Sequence, residues 1–184
     1  MEWAAQHGLE GLTIGRLAEE LRLSKSGLFA HFGSKEALQV EILRTASARF
    51  ARRVTLPVMK APPGEPRLRL LFERWGAWLR PPLSPAGCLF ISAAAEYDDR
   101  PGRIRDHLHQ LQSRWIAGIG RAAREAMELG HFRPDLDSDQ YAFELFGIVL
   151  AWHHSVRMLE TPAADSRAHR AFQRLQADAR LASA

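Results

Sequence analysis

Residues 12–38, LTIGRLAEELRLSKSGLFAHFGSKEAL, decide how this chain folds. Thr13 is a natural helix N-cap. Behind it Ile14, Leu17, Ala18 and Leu21 recur at i, i+3, i+4 and i+7, which is one buried helix face. Ser24 caps a second, shorter helix carrying Leu28 and Phe32 at i and i+4, and Gly33 ends it. Ser34 caps a third, with Glu36 in the first turn, where the helix dipole favours an acid. The tight turn Arg22-Leu23-Ser24 is expected to bury Leu23 and to set the two short helices at a steep angle. That arrangement lets the second helix enter a DNA major groove while the first lies against the backbone. Lys25, Ser26, Gly27 and Phe29 then face outward near an N-terminus whose free N–H groups suit phosphate.

Working outward, helical periodicity covers nearly the whole chain and strand signals are sparse. A short helix, Glu2–His7, precedes the motif and stops at Gly8. The helix after Ser34 is expected to reach about Leu56, through Leu38, Ile42, Leu43, Ala46 and Phe50. Residues 57–66, with four prolines, read as a loop. Further helices are expected over 67–80, 86–97, from Pro101 to Leu129, from Asp137 or Ser138 to about Leu159, and from Asp165 to Leu181. The fold class is therefore all-α, about nine helices. A helix-turn-helix domain over residues 1–45 precedes a larger helical ligand-binding and dimerisation domain over 46–184.

Composition sets the outer limits. The chain has 184 residues, 46% hydrophobic and 25% charged, which is enough apolar material for a packed core. No apolar run approaches the roughly 18–20 residues of a membrane span, and Met1-Glu2-Trp3-Ala4 does not read as a secretory signal. Cys88 is the only cysteine, so an intrachain disulfide and a Cys-based zinc site are excluded and a cytoplasmic location is expected. The net charge of +4 is only a mild hint of an anionic partner. No catalytic residues, metal site or cofactor are expected: His107 and His109 stand at i and i+2, which do not share a helix face, and the adjacent His153 and His154 diverge likewise.

The run Ser24-Lys25-Ser26-Gly27-Leu28-Phe29-Ala30-His31-Phe32-Gly33-Ser34-Lys35-Glu36-Ala37-Leu38 resembles the signature of the tetracycline-repressor (TetR/AcrR) family of one-component regulators. A weaker likeness to one of its ligand-domain branches runs from Gly87 through Gly130 to His154. The resemblance implies a sequence-specific DNA-binding transcriptional regulator, by family habit a repressor, released from a pseudo-palindromic operator by a small-molecule effector. It implies that Thr13, Ser24 and Lys35 contact phosphates, that Lys25, Ser26 and Gly27 approach bases, and that Phe29 and His31 touch the DNA backbone. The family usually has Tyr at those last two positions. It also usually carries a longer first helix and a basic arm, where here only Glu2–His7 precedes Gly8. The alternative is a helical dimeric interaction module that has lost DNA binding.

The helix from Asp137 is apolar nearly all round, so both of its sides are expected to be buried. Phe146 and Leu150, with Phe172 and Leu175 of the last helix, are candidates for a two-fold homodimer interface. In the family the ligand cavity lies among the fourth to eighth helices. Trp75, Trp78, Phe90, Trp115, Phe143 and Trp152 are candidates to line it, with polar tips such as His107, Ser113 or His153. For any one of these aromatics the plainer reading is core. Cys88 likewise reads as a small core residue before a thiol sensor.

Overall fold

The computed structural model describes residues 2–180. All regular elements among them are helical. The motif region forms α1 (Glu2–His7), α2 (Ile14–Leu21), α3 (Lys25–Phe32) and α4 (Lys35–Phe50). The three caps are in place: Thr13 Oγ1 accepts from the Arg16 N–H, Ser24 Oγ from Gly27 and Ser34 Oγ from Ala37, each at 3.1 Å. Each satisfies one of the N–H groups left without a partner in a first helical turn. The turn between α2 and α3 is made by Arg22 at φ 53°. It leaves Leu23 54% exposed, against the expectation that it would be buried. The left-handed residue swings the chain out of α2, and Arg22, Leu23 and Ser24 all stand exposed.

The stretch expected to be a loop from 57 begins as helix. α4 continues through a π-helical segment, Ala51–Thr55, into α5 (Leu56–Met59). Pro57 has no N–H and its ring crowds the preceding turn. The wider π turn, closed by the Leu56 N–H on the Ala51 carbonyl, supplies the slack. α4, the π segment and α5 therefore form one rod. With it, the described residues make nine helical rods, completed by α6 (Glu65–Trp78), α7 (Leu89–Tyr97), α8 (Arg103–Glu128), α9 (Ser138–Arg157) and α10 (Ala164–Ala179). The end expected for the last helix, Leu181, lies outside the described residues.

Two apolar cores hold the rods. The upper one gathers Ala4, Leu9, Leu12, Ile14, Leu38 and Leu43, joined by Leu89, Ala93 and Tyr97 of α7 and Ile104 and Leu108 of α8. The lower one is built from α6, α8, α9 and α10 around Phe72, Trp75, Phe132, Tyr141 and Trp152. The packing therefore does not divide at residue 45, because α7 and the start of α8 complete the core of the N-terminal head. Phe90 packs against both cores.

Phe72 is the centre of the lower core. Its ring stacks on Phe172 at 4.1 Å and on Trp152 at 5.1 Å between centroids. The Trp152 indole N–H donates to Asp165 at 2.9 Å, and Arg80 lies over its ring. Gly76, one turn on from Phe72 in α6, lets this helix close on Trp152, since a Cβ there would stand 2.1 Å from the ring. Gly76→Ala should gain up to ~1 kcal/mol of helix propensity and lose about 1–3 kcal/mol to overpacking. The clash dominates because Trp152 is held on both sides. Urea unfolding should show net destabilisation; an unchanged or raised midpoint would refute this account of the α6–α9 contact.

Candidate functional site

α2 and α3 carry the residues expected at DNA. α3 has no buried residue. Leu28 and Phe32 are only half-buried, so this helix lies on the head rather than in it. Ser24, Lys25, Ser26, Gly27, Phe29 and His31 are all exposed, with Phe29 at 57%. Thr13 Oγ1 and Lys25 Nζ both come within 4 Å of the place where a Cβ on Gly15 would sit, at 3.8 and 3.9 Å. The cap hydroxyl of α2 and the ammonium of α3 thus stand over the same glycine. Gly27 leaves room for the Ser24 hydroxyl, which a Cβ would meet at 2.8 Å. Lys35 is placed differently. Its ammonium donates to Glu10 at 2.5 Å, so a phosphate contact there competes with an existing ion pair.

That ion pair belongs to the seam between head and body. The Glu96 carboxylate at the end of α7 accepts the Leu9 and Glu10 N–H groups at 2.7 and 2.8 Å. The Glu10 carboxylate in turn accepts from Lys35 and, at 2.7 Å, from the Tyr97 hydroxyl. These two hydrogen bonds hold the Glu10 carboxyl below the usual carboxylate range. None of this polar seam was expected from the sequence, although a glycine followed by an acid after α1 was its available signal.

Below the head lies a cavity of about 340 Å³, walled by five rods. Phe50 comes from α4, Ala51 and Thr55 from the π segment, Trp75 from α6, Phe90 from α7, Trp115 from α8 and Phe146 from α9. Phe50 and Trp115 meet edge to face at 4.8 Å, and Trp75 and Trp115 at 5.1 Å. Ser47, Gln112 and Arg114 add polar groups to the wall. A groove of about 520 Å³ adjoins the cavity and shares Thr55, Arg114 and Trp115 with it.

Of the residues expected around a pocket, Trp75, Phe90 and Trp115 stand on this wall. Trp78, Trp152 and Phe143 do not. Trp78 is buried against Phe50 at 5.3 Å, outside the lining. Trp152 belongs to the Phe72 stack. Phe143 is 70% exposed on the opposite face of α9. The proposed polar tips are elsewhere too: Ser113 is exposed, and neither His107 nor His153 lines the cavity. The interface candidates also separate. Phe172 and Leu175 are each 6% exposed, turned into the chain's own core, and Phe146 faces the cavity. Leu150 is half-buried beside an outer stripe of Phe143, Gly147, Ala151, His154 and Met158. α9 is therefore not buried all round; one apolar face is open.

Cys88 is 2% exposed, and burial pushes its thiol up, away from the reactive thiolate. Among the described residues no group of three or more His, Cys, Asp or Glu is placed to hold a metal, and no helix is long and apolar enough to cross a membrane.

Two family models match the chain: the bacterial regulatory proteins of the tetR family over residues 1–42, and the tetracyclin repressor-like C-terminal domain over residues 64–172. The chain belongs to the tetracycline-repressor family. Over 51 residues it is 43% identical to the HTH-type transcriptional repressor AcnR of Corynebacterium efficiens, a match spanning 28% of this chain and 27% of that protein. Its fold resembles a TetR transcriptional regulator of Chloroflexus aurantiacus, with a TM-score of 0.85 at 22% identity over 98% of this chain and 92% of the other. It also resembles AibR, solved in complex with isovaleryl coenzyme A and operator DNA, with a TM-score of 0.70 at 22% identity over 91% and 90%.

His153 ties α9 to the start of α7. Its Nε2 accepts the Cys88 N–H at the start of α7 at 3.2 Å, which requires the neutral ring. Burial first, then Arg157 and His154, lowers its pKa from the ordinary histidine value. A folded-state pKa below the unfolded one means stability that is complete above about pH 6.5 and is lost as pH falls through the folded value. His107, also lowered by burial, adds in the same direction. Thermal unfolding should move to lower temperature between pH 7.5 and 5. His153→Gln, which can accept the same bond without titrating, should lose less; an equal or larger loss would exclude His153 as a source of the acid sensitivity.

Proposed function

We propose that the chain is a homodimeric, sequence-specific DNA-binding repressor of the cytoplasm, released from its operator by a small molecule held in the aromatic cavity. The observation that carries this reading is the exposed α3 N-terminus, with Lys25, Ser26 and Gly27 free to enter a major groove beside the capped start of α2. Thr13 and Ser24 serve phosphates, Lys25 to Gly27 approach base edges, and Phe29 and His31 lie against the DNA backbone. Phe29 offers only apolar contact, while His31 can also donate. Lys35 reaches a phosphate by exchanging Glu10 for it.

The open stripe on α9, from Phe143 to Met158, pairs with its two-fold copy. An exposed apolar face of this kind is ordinarily covered by a partner. Two recognition helices then read half-sites about 34–36 Å apart. The effector acts by population shift: it favours one packing of the rods around the cavity, and α4 and α7 carry that preference to the head.

Selection of random duplexes by the protein should enrich a palindrome. Lys25→Ala should weaken binding by about 1–3 kcal/mol and lower the salt slope by about one. No enrichment at low salt would favour an interaction module without DNA binding. In analytical ultracentrifugation the chain should sediment as a dimer. Phe143→Glu should yield monomers that keep their helical circular dichroism and lose most operator affinity; a dimer unaffected by that change would place the interface elsewhere.

A further inference from the structure

We propose that the molecule accepted by the cavity is an organic acid, its apolar body among the aromatic rings and its carboxylate on Arg114. The inference rests on the effector-cavity reading above and adds the chemical class.

The cavity is aromatic, but the wall it shares with the adjoining groove is not. Thr55, Arg114 and Trp115 form that wall, and all three are hydrogen-bond donors. The other arginines of the groove differ in what they hold. Arg67 donates to Glu125 at 2.6 Å, and Arg124 to Ser138 at 2.7 Å with Asp139 at 3.4 Å. Arg114 has no hydrogen-bond or carboxylate partner among the described residues, and neither has Arg121, whose guanidinium lies over Gly118 further along the groove. Glu125 is already engaged by Arg67, which leaves Glu128 as the free acid of the lining. The local balance is cationic where the apolar cavity opens.

Two further observations point the same way. The Trp115 indole N–H is buried and has no hydrogen-bond partner among the described residues. An unsatisfied buried donor is costly, and an arriving oxyanion is the acceptor that relieves it. Arg114 is also felt one turn away from the lining, where its charge, after burial and Arg44, lowers the pKa of His107. A planar guanidinium matches a carboxylate through two parallel hydrogen bonds, and at the cavity mouth that head group keeps part of its hydration. A neutral alcohol of the same shape offers these donors one uncharged oxygen in place of two charged ones.

The test compares matched probes on the full chain: 4-phenylbutyrate against 4-phenylbutan-1-ol at pH 7.5, by calorimetry and by tryptophan fluorescence, to which Trp75 and Trp115 of the cavity wall contribute. The acid should bind at least tenfold more tightly. Arg114→Gln should bring the acid down to the level of the alcohol, Arg114→Lys should keep part of the preference, and the exposed change Arg170→Gln on α10, a helix that lines neither cavity nor groove, should alter nothing. Unchanged circular dichroism of Arg114→Gln would tie its loss to the head group rather than to folding. Equal affinity for the two probes, indifference of the acid to Arg114→Gln, or no binding of either would overturn the proposal. A chain that binds duplex DNA but takes acid and alcohol alike would overturn the acid site and leave the regulatory reading. A chain that prefers the acid through Arg114 but binds no DNA would do the reverse.

Discussion

The Glu96 carboxylate holds two backbone N–H groups, of Leu9 and Glu10, and through them fixes the head on the body. Charge-assisted bonds to backbone donors are stronger than neutral ones, and these have little freedom to rearrange. Gly8, at φ 86°, turns the chain so that both N–H groups face one carboxylate, and a Cβ there would strike Glu96 at 2.7 Å. On the inner side the Gln39 amide, almost fully buried, donates to the Leu9 carbonyl at 2.8 Å. The α1–α2 connection is thus clamped between α4 and α7. The other end of α7 bears Cys88 and Phe90 on the cavity wall. One nine-residue helix therefore joins the cavity wall to the place where the head is held.

The second link is the rod from Lys35 to Met59. Its first turns belong to the head core, and its π segment lines the cavity. Side chains at the cavity and at the base of α3 are thereby on one continuous element. The Arg103–Glu36 pair at 3.6 Å and the Lys35–Glu10–Tyr97 chain add polar ties around the same junction.

The sequence was most informative where local chemistry decides the structure. Thr13, Ser24 and Ser34 mark three helix starts because a cap hydroxyl serves its own first turn, and the stop at Gly33 is local in the same sense. The body was legible as rods but not as faces. A run such as Phe143 to Trp152 predicts a helix apolar all round, and periodicity alone does not say which of its sides meets another helix. Phe172 shows why: its neighbour is Phe72, far away in the chain, so its burial is a tertiary fact. Phe50, Ala51 and Thr55 are not among the cavity residues expected from the sequence, although the fourth helix is among those expected around it, because which face of that helix meets the cavity is again a tertiary fact. Pro57 was read as a stop because its local cost is high, and the π turn that accommodates it leaves no mark in residue type.

The shared upper core has an evolutionary corollary. A DNA-reading module that completed its own hydrophobic centre could be exchanged between regulators as a cassette. Here Leu89, Ala93, Tyr97, Ile104 and Leu108 fill the head from the far side of the chain. Exchange of residues 1–45 alone would leave that packing behind, so the two parts of the chain depend on side chains matched across it. The outward side of α3 takes no part in that packing: the helix has no buried residue, and only Leu28 and Phe32 lean on the shared core.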